Sequence, residues 1–311
     1  MAGPVAASAP GKLILFGEHA VVFGEPALCT AINLRTEVFA RPHQEWLVDG
    51  ASLDAPKYRY VKAAVRRAWS DGPLWLEIRS MIPTGAGLGS SAAVTVATLG
   101  ALQELQNSLD PPAIAREAFE IEHEVQGRAS PIDTSAATAG GGVLVRPEES
   151  DDLLWTITKD TRRWCLHRCT LPDLTFVIGN TGISAATGPL IAGVKERVDA
   201  SPKAASMVRE IGHITMDGLV ALQRKDLVAA GQLMDRDQEL LNALGVGHPM
   251  LDRLVAAARK HSYGAKLTGA GGGGSMVALT DEPEKAARAI REAGGKTFLV
   301  HPDPVGVRRL P

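Results

Sequence analysis

The sequence predicts an α+β protein with two domains. Its 311 residues are about twice the length of an average domain of roughly 150 residues. Short apolar segments of strand length occur beside longer segments with helical spacing, but the two do not alternate strictly, as they would around a parallel sheet. A domain boundary is expected near residues 150–172, where an acidic, loop-like stretch begins.

Each predicted element has a local signal. Runs of apolar and β-branched residues, bounded by turn residues, predict strands at 13–16, 27–39, 74–78, 143–145, 153–157, 164–166, 174–178, 265–268, 276–279 and 297–300. Apolar residues at helical spacing predict helices at 58–69, 90–106, 110–126, 189–198, 203–223, 227–244, 249–260 and 284–293. Asp110 followed by two prolines is a helix start signal. Residues 130–135 are predicted to form a loop.

Composition excludes several classes of protein. The net charge is −2, so no general basic field favours nucleic acid or an anionic membrane. Three cysteines exclude a disulfide scaffold and fit a reducing compartment. Neither a signal peptide nor an apolar stretch of the ~20 residues needed for a membrane helix is visible, so a cytoplasmic location is expected. Only 11 of the 33 basic residues are lysines, so a lysine among apolar or glycine residues is informative.

Two glycine-rich segments are candidates for ligand binding. Residues 83–91 join a predicted strand to a predicted helix, and glycines there let backbone N–H groups converge at the positive end of the helix dipole. This pattern favours phosphate binding, and the alternative is a tight turn with a helix cap. It is not a P-loop, which needs a lysine, and it is not a Rossmann fingerprint. Residues 269–274 favour close approach of the backbone to a ligand, and the alternative is a simple connection between strands.

Several charged residues stand in unusual surroundings. Lys12 precedes a predicted apolar strand, and Glu18 and His19 follow it directly between two glycines. Strands with polar residues at their ends often lead into sites, although a surface lysine and a structural histidine are the alternatives. Asp133, among small residues, could cap the next helix or act as a buried base. One predicted helix carries three acids, and Glu122 projects away from the face shared by Glu120 and Glu124. The alternative for all three is a solvated surface position.

Taken together, three segments carry a resemblance to a known family. They are KLILFGEHAVVFG at 12–24, PTGAGLGSSAA at 83–93 and KLTGAGGGGSMVAL at 266–279. In order and spacing they resemble the signature motifs of the GHMP small-molecule kinases, and the first is similar to that of the mevalonate kinase family. The resemblance implies an N-terminal domain at 1–165, a ferredoxin-like C-terminal domain at 166–311, and ATP bound between them. It also suggests mevalonate as the substrate and a homodimer as the assembly.

The resemblance assigns roles residue by residue. Asp133 would accept the proton of the C5 hydroxyl of mevalonate, and Lys12 would stabilise that carboxylate and the γ-phosphate. Mg²⁺ would be held by Ser91 and Glu122. The substrate would contact Glu18, His19 and Thr187. The ATP phosphates would contact Pro83, Gly85, Ala86, Gly87, Leu88, Gly89, Ser90, Ser91 and Gly271.

The sequence departs from the family pattern in places. Pro131 stands where the family usually has glycine, and Ser275 replaces a frequent cysteine. The stretch 180–190 lacks the basic residues often seen there, which argues against an acceptor that already carries a phosphate. The alternatives are a GHMP kinase for another alcohol, such as phosphomevalonate or a sugar, and a non-catalytic ligand sensor on the same fold.

Overall fold

The computed structural model describes residues 3–127, 129–184 and 186–311, which form two sheets with helices packed against them. The first sheet contains β1 (Val5–Phe16), β2 (Ala27–Pro42), β3 (Leu47–Val48), β4 (Ala51–Ser52), β5 (Leu74–Ser80), β6 (Gly142–Arg146), β7 (Leu153–Lys159) and β8 (Arg162–Cys169). The second contains β9 (Phe176–Asn180), β10 (Gly264–Thr268), β11 (Ser275–Leu279) and β12 (Lys296–Val300). A short last strand, β13 (Arg308–Arg309), pairs with β1 in the first sheet.

The helices, apart from the fourth, follow their local signals closely. They are α1 (Arg59–Ala68), α2 (Ser90–Leu105), α3 (Pro111–Gln126), α4 (Ile132–Ala139), α5 (Thr187–Ala200), α6 (Pro202–Gln223), α7 (Leu227–Ala243), α8 (Pro249–Ala258) and α9 (Pro283–Glu292). At the start of α3, the Asp110 side chain accepts a 3.2 Å hydrogen bond from the Ala113 backbone N–H, as its cap signal predicts. None of the helices in the described ranges has the length and apolar character needed to cross a membrane.

The first sheet is organised around the long strand β2. Along one edge β2 pairs with β6 through residues 27–30 and with β5 through residues 36–42, while β1 pairs along the other edge. A register shift in β1 falls between Pro10 and Gly11. A Cβ at Gly11 would lie 2.8 Å from the Leu88 carbonyl oxygen, so glycine lets the 83–89 loop pack directly on β1. This contact brings the loop beside Lys12.

The second sheet is antiparallel, with the order β10-β11-β9-β12. Helices α5 to α8 connect β9 to β10, and α9 connects β11 to β12. This is a βαββαβ arrangement of the ferredoxin-like type. The predicted α+β class and the ferredoxin-like second half are confirmed.

The two sheets share their largest core. Leu13 and Phe16 of β1 belong to the same buried cluster as Phe176 of β9 and Leu267 of β10. The C-terminal tail also returns to the first sheet, where the Arg35 guanidinium donates to the Asp303 carboxylate at 2.6 Å. The division into residues 1–165 and 166–311 stays a prediction; β8, which contains residue 165, pairs within the first sheet.

Two local predictions are wrong. Residues 132–135 belong to α4 and not to a loop, and Asp133 lies in its first turn. Almost every residue of α4 is buried, so the helix has no polar face and its sequence shows no helical period. Lys12 lies inside β1 and not before it, because residues 5–11, which carry little β-branched character, are held in the strand by pairing with β2.

Candidate active site

The 83–89 loop has the conformation that its glycines allow. Gly85, Gly87 and Gly89 have φ of +75°, +73° and +75°, which favours glycine over any residue with a side chain. A Cβ at Gly85 would meet nothing within 4 Å, and one at Gly87 would meet only the Thr268 carbonyl oxygen, at 3.9 Å. Glycine is therefore needed here for backbone conformation, and the space beside the loop is open to a ligand.

The start of α2 is suited to an anion. Its cap position is Gly89, and among the described residues no side chain accepts a hydrogen bond from its first turn. The N–H groups of that turn therefore lack the partner that a capping side chain would provide, at the positive end of the helix dipole. A phosphate group is the ligand that such a helix start and loop bind best.

Replacing Gly89 with alanine tests this loop. The new Cβ would lie 2.8 Å from Lys12 Cγ, so we expect Gly89→Ala to displace Lys12 and lower kcat/KM by about 10²-fold. Gly50→Ala is the matched control, since Gly50 also has a φ of +75° and a Cβ there would meet nothing within 4 Å. Both variants should lose about 1–2 kcal/mol of stability from left-handed strain, measured by denaturant unfolding. Equal activity in the two variants would contradict the expected role of this contact.

Lys12 and Asp133 form an ion pair at the centre of the site. Lys12 Nζ lies 3.1 Å from Asp133 Oδ1, and the Lys12 backbone N–H donates to the Leu88 carbonyl at 3.0 Å. Strand β1, helix α4 and the glycine loop thus meet at one point. The Lys12 side chain is only 4% exposed, whereas that of Asp133 is 27% exposed and can be reached by a small molecule.

A second carboxylate lies deeper, beside the start of α2. Glu122 is buried, and its Oε1 accepts hydrogen bonds from Ser91 Oγ at 3.2 Å and Gln126 Nε2 at 3.0 Å. Burial raises the pKa of Glu122 to about 8, and the negative charge of Asp133 adds to this shift. Its neighbours on α3 differ: Glu124 is exposed, and Glu120 pairs with Lys159 at 2.6 Å.

The Glu122–Ser91 pair fits a hard cation. A buried carboxylate that is costly to ionise gains from a positive charge, and carboxylate and hydroxyl oxygens are the ligands that Mg²⁺ prefers. In the described part of the chain, no group of three or more His, Cys, Asp or Glu side chains is placed to hold a metal. Mg²⁺ commonly takes one or two protein ligands and completes its shell with phosphate oxygens and water.

His19 lies between the two halves of the molecule. Its Nε2 lies 2.9 Å from the carbonyl oxygen of Ala270. Because a carbonyl only accepts, Nε2 carries the proton in this contact. Burial lowers the pKa of His19 and favours the neutral ring, so Nδ1 presents a lone pair, which has no partner among the described residues. His19 therefore carries no positive charge, and its unpartnered Nδ1 is itself buried.

The second glycine loop is fastened to its surroundings. Gly271 has a φ of +78°, and a Cβ there would lie 2.1 Å from the Val246 carbonyl oxygen. The buried Ser275 Oγ donates to the Ala86 carbonyl at 2.6 Å, which joins this loop to the 83–89 loop. Thr187 is the exposed first residue of α5. No hydrogen bond or ion pair between described residues joins Thr187 to the other predicted site residues.

Two residues of this region, Lys266 and Asp237, were not predicted as site residues from the sequence. Glu18 is fully buried and forms an ion pair with Lys266, and Oδ2 of Asp237, on α7, lies 3.4 Å from the same ammonium group. Lys266 began the third motif, and the scarcity of lysine was a signal that it has a special environment. Asp237 had no such signal, because an acid on a helix is usually solvated.

Comparison with known proteins identifies the class and then the family. Residues 58–141 match the GHMP kinases N terminal domain and residues 219–298 match GHMP kinases C terminal. The chain and its fold thus belong to the GHMP class of kinases. Mevalonate kinase of Archaeoglobus fulgidus is 37% identical, over 97% of this chain and 98% of its own length. That of Pyrococcus abyssi is 34% identical over 98% and 97%. The chain belongs to the mevalonate kinase family.

Solved structures agree with this assignment. The Methanococcus jannaschii mevalonate kinase has a TM-score of 0.80 and 26% identity, covering 96% of this chain and 98% of its own. The L. major mevalonate kinase in complex with R-mevalonate has a TM-score of 0.83 and 26% identity, covering 98% and 97%. The similarity therefore extends over both halves of the molecule.

Proposed function

We propose that this protein transfers the γ-phosphoryl group of ATP to the C5 hydroxyl of (R)-mevalonate and produces 5-phosphomevalonate and ADP. The observation that carries this proposal is the Lys12–Asp133 ion pair, which lies beside a phosphate-binding loop and is partly open to a ligand. The proposal also rests on the family of the chain and on the R-mevalonate complex of its L. major relative.

The chemistry assigned to the ion pair is proton removal and charge stabilisation. Asp133 accepts the proton of the C5 hydroxyl as the new bond from oxygen to phosphorus forms and the bond to the ADP oxygen breaks. Lys12 stabilises the Asp133 carboxylate and the negative charge that gathers on the transferred group. The N–H groups of the 83–89 loop and of the first turn of α2 hold the phosphates in line for transfer.

Ser91 and Glu122 are the residues that would hold Mg²⁺. When bound, this cation neutralises phosphate charge during transfer. Glu122 is kept in place by Gln126, one helical turn further along α3, and Ser91 by its position in the first turn of α2. These two side chains are rigid because both lie on helices that pack in the same core.

His19 and Glu18 would act on the acceptor in different ways. The Nδ1 of His19, which is buried and has no partner among the described residues, would accept a hydrogen bond from a substrate hydroxyl. Glu18 is enclosed against Lys266, so its influence on the substrate would pass through the position of His19. The mevalonate carboxylate would then need N–H donors or a cation other than His19. Thr187, together with a homodimeric assembly and a cytoplasmic location, stays a prediction.

A substrate panel tests the proposed function. Phosphate transfer to mevalonate, 5-phosphomevalonate, galactose and homoserine would be measured under one set of conditions, with product identification. We expect mevalonate to have the highest kcat/KM. The stretch 180–190 has no basic residues that would bind the phosphate of an acceptor such as 5-phosphomevalonate. A higher kcat/KM for any of the other three acceptors would overturn this choice of substrate.

A further inference from the structure

A buried cluster of three charged side chains lies outside the residues assigned to the chemistry. Lys266 Nζ donates to Glu18 Oε1 and to the Leu267 carbonyl, the latter at 2.9 Å, and lies 3.4 Å from Asp237 Oδ2. All three side chains have no exposed surface. Glu18 Oε2 and both oxygens of Asp237 lack hydrogen-bond partners among the described residues. Two carboxylates thus share one ammonium group in a region without water contact.

This cluster is costly, so its stabilising value is small. Taking a charge out of water costs several kcal/mol. A protein with apolar residues of similar volume in place of a buried ion pair is often at least as stable. Burial raises the pKa of Glu18 and, to about 7, that of Asp237, which reflects this cost. The cluster is therefore better explained by what it holds in position than by the stability it adds.

The cluster joins both halves of the molecule next to His19. Glu18 follows the end of β1, Asp237 lies on α7, and Lys266 lies on β10 just before the 269–274 loop. The backbone turns sharply on both sides of Glu18, with φ of +93° at Gly17 and +61° at His19. A position with positive φ at a residue other than glycine persists only where its surroundings hold it.

Two more contacts tie the same segments together. Thr268 Oγ1 donates to the Ile14 carbonyl at 3.0 Å, and His19 Nε2 donates to the Ala270 carbonyl. Together with the Lys266–Glu18 pair, these contacts involve every second residue, 266, 268 and 270, along β10 and the loop that follows it. We therefore expect the orientation of His19 to depend on how β10 and its following loop are held against the end of β1.

We propose that Lys266 is a positioning residue for phosphoryl transfer: through Glu18 it holds the 17–19 turn against the second glycine loop, so that His19 presents one face to the acceptor. This inference rests on the proposed function for its kinetic readout. Its structural readout, the state of the His19 ring, does not depend on which substrate the enzyme takes.

A double-mutant cycle tests whether Lys266 acts through Glu18. Because Lys266→Met alone would leave two unpaired carboxylates and could prevent folding, the cycle is made in an Asp237→Asn background. Four proteins are compared. They are Asp237→Asn alone, Asp237→Asn with Glu18→Gln, Asp237→Asn with Lys266→Met, and the variant with all three changes. The variant with all three changes is neutral and nearly isosteric, so it should fold. Lys260→Met, at an exposed lysine, is the matched control.

The expected result is a non-additive loss. Relative to the background, Lys266→Met should lower kcat/KM for mevalonate by about 10²-fold, with the KM for ATP changed less than threefold. In the variant that already carries Glu18→Gln, Lys266→Met should lower kcat/KM by less than a further threefold. The carboxylate through which Lys266 acts is already absent there. The proposal would be overturned if the losses in kcat/KM from Glu18→Gln and Lys266→Met multiplied. It would also be overturned if kcat/KM fell equally for ATP and mevalonate while thermal stability fell, since both results indicate a merely structural role.

The His19 ring supplies a readout besides activity. Nitrogen-15 NMR of histidine-labelled protein, with the His19 signal assigned from a His19→Gln variant, should show the Nε2–H form in the wild type. The neutral triple variant should lose this single tautomer and give averaged signals. An unchanged His19 spectrum in that variant would overturn the proposal. If the wild type fails to phosphorylate mevalonate but the spectrum changes as expected, the proposed function fails and the positioning role stands.

Discussion

Asp133→Asn is expected to lower kcat by about 10²–10⁴-fold, the usual cost of losing a general base. The amide keeps the shape of the side chain but cannot accept the proton of the attacking hydroxyl. Lys12 would lose its ionic partner, since the 3.1 Å contact to Asp133 Oδ1 would then join an ammonium to a neutral group. The measurement is steady-state turnover with mevalonate, beside calorimetric titration of ATP into the same protein.

The controls separate chemistry from folding. Asp71→Asn makes the same change at an exposed loop residue and should leave kcat unchanged. The affinity of Asp133→Asn for ATP should stay within a few-fold of the wild type, because Asp133 lies on α4 and not in the 83–89 loop. A folded Asp133→Asn protein with near-wild-type kcat would remove the base from this position.

Glu122→Gln is expected to raise the Mg²⁺ concentration needed for half-maximal activity by about 10-fold or more, because an anionic ligand becomes a neutral amide. The KM for mevalonate should change much less. The amide resembles the protonated carboxyl that burial favours at neutral pH, so the fold should tolerate the change. The measurement is activity against Mg²⁺ at saturating ATP and mevalonate.

Glu124→Gln is the matched control, since Glu124 lies on the same helix, two residues further, and is exposed. It makes the identical chemical change without reaching the start of α2. An Mg²⁺ dependence that is the same in Glu122→Gln, Glu124→Gln and the wild type would remove the metal-binding role of Glu122.

Features with local causes could be predicted from the sequence. Three such features depend on a few neighbouring residues each. They are the helix cap at Asp110, the positive φ of the glycines in the 83–89 loop, and the connection from strand to helix that this loop makes. Lys12, Asp133 and Ser91 could be named from their sequence contexts, and Glu122 because the motif around it resembles that of a known family. The structure brings these four side chains to two adjoining contacts.

Other features left no local trace. Almost every residue of helix α4 is buried, so its sequence lacks the polar face from which a helix is recognised. The C-terminal tail returns to β1, where it pairs with that strand and its Asp303 accepts a hydrogen bond from Arg35, and both partners are far away in the chain. A pattern within one segment carries no information about which distant segment will cover it.

The sequence by itself determined the class of fold, the conformation of the glycine-rich 83–89 loop and the residue types of the candidate site, since these follow from backbone preference and from the chemistry of single side chains. Only the tertiary structure decided that Glu18 faces Lys266 and Asp237, and that His19 donates from Nε2 to Ala270. The physical reason is that burial and charge pairing are properties of the packed molecule. The state of an ionisable group depends on neighbours that the chain brings together only when it folds.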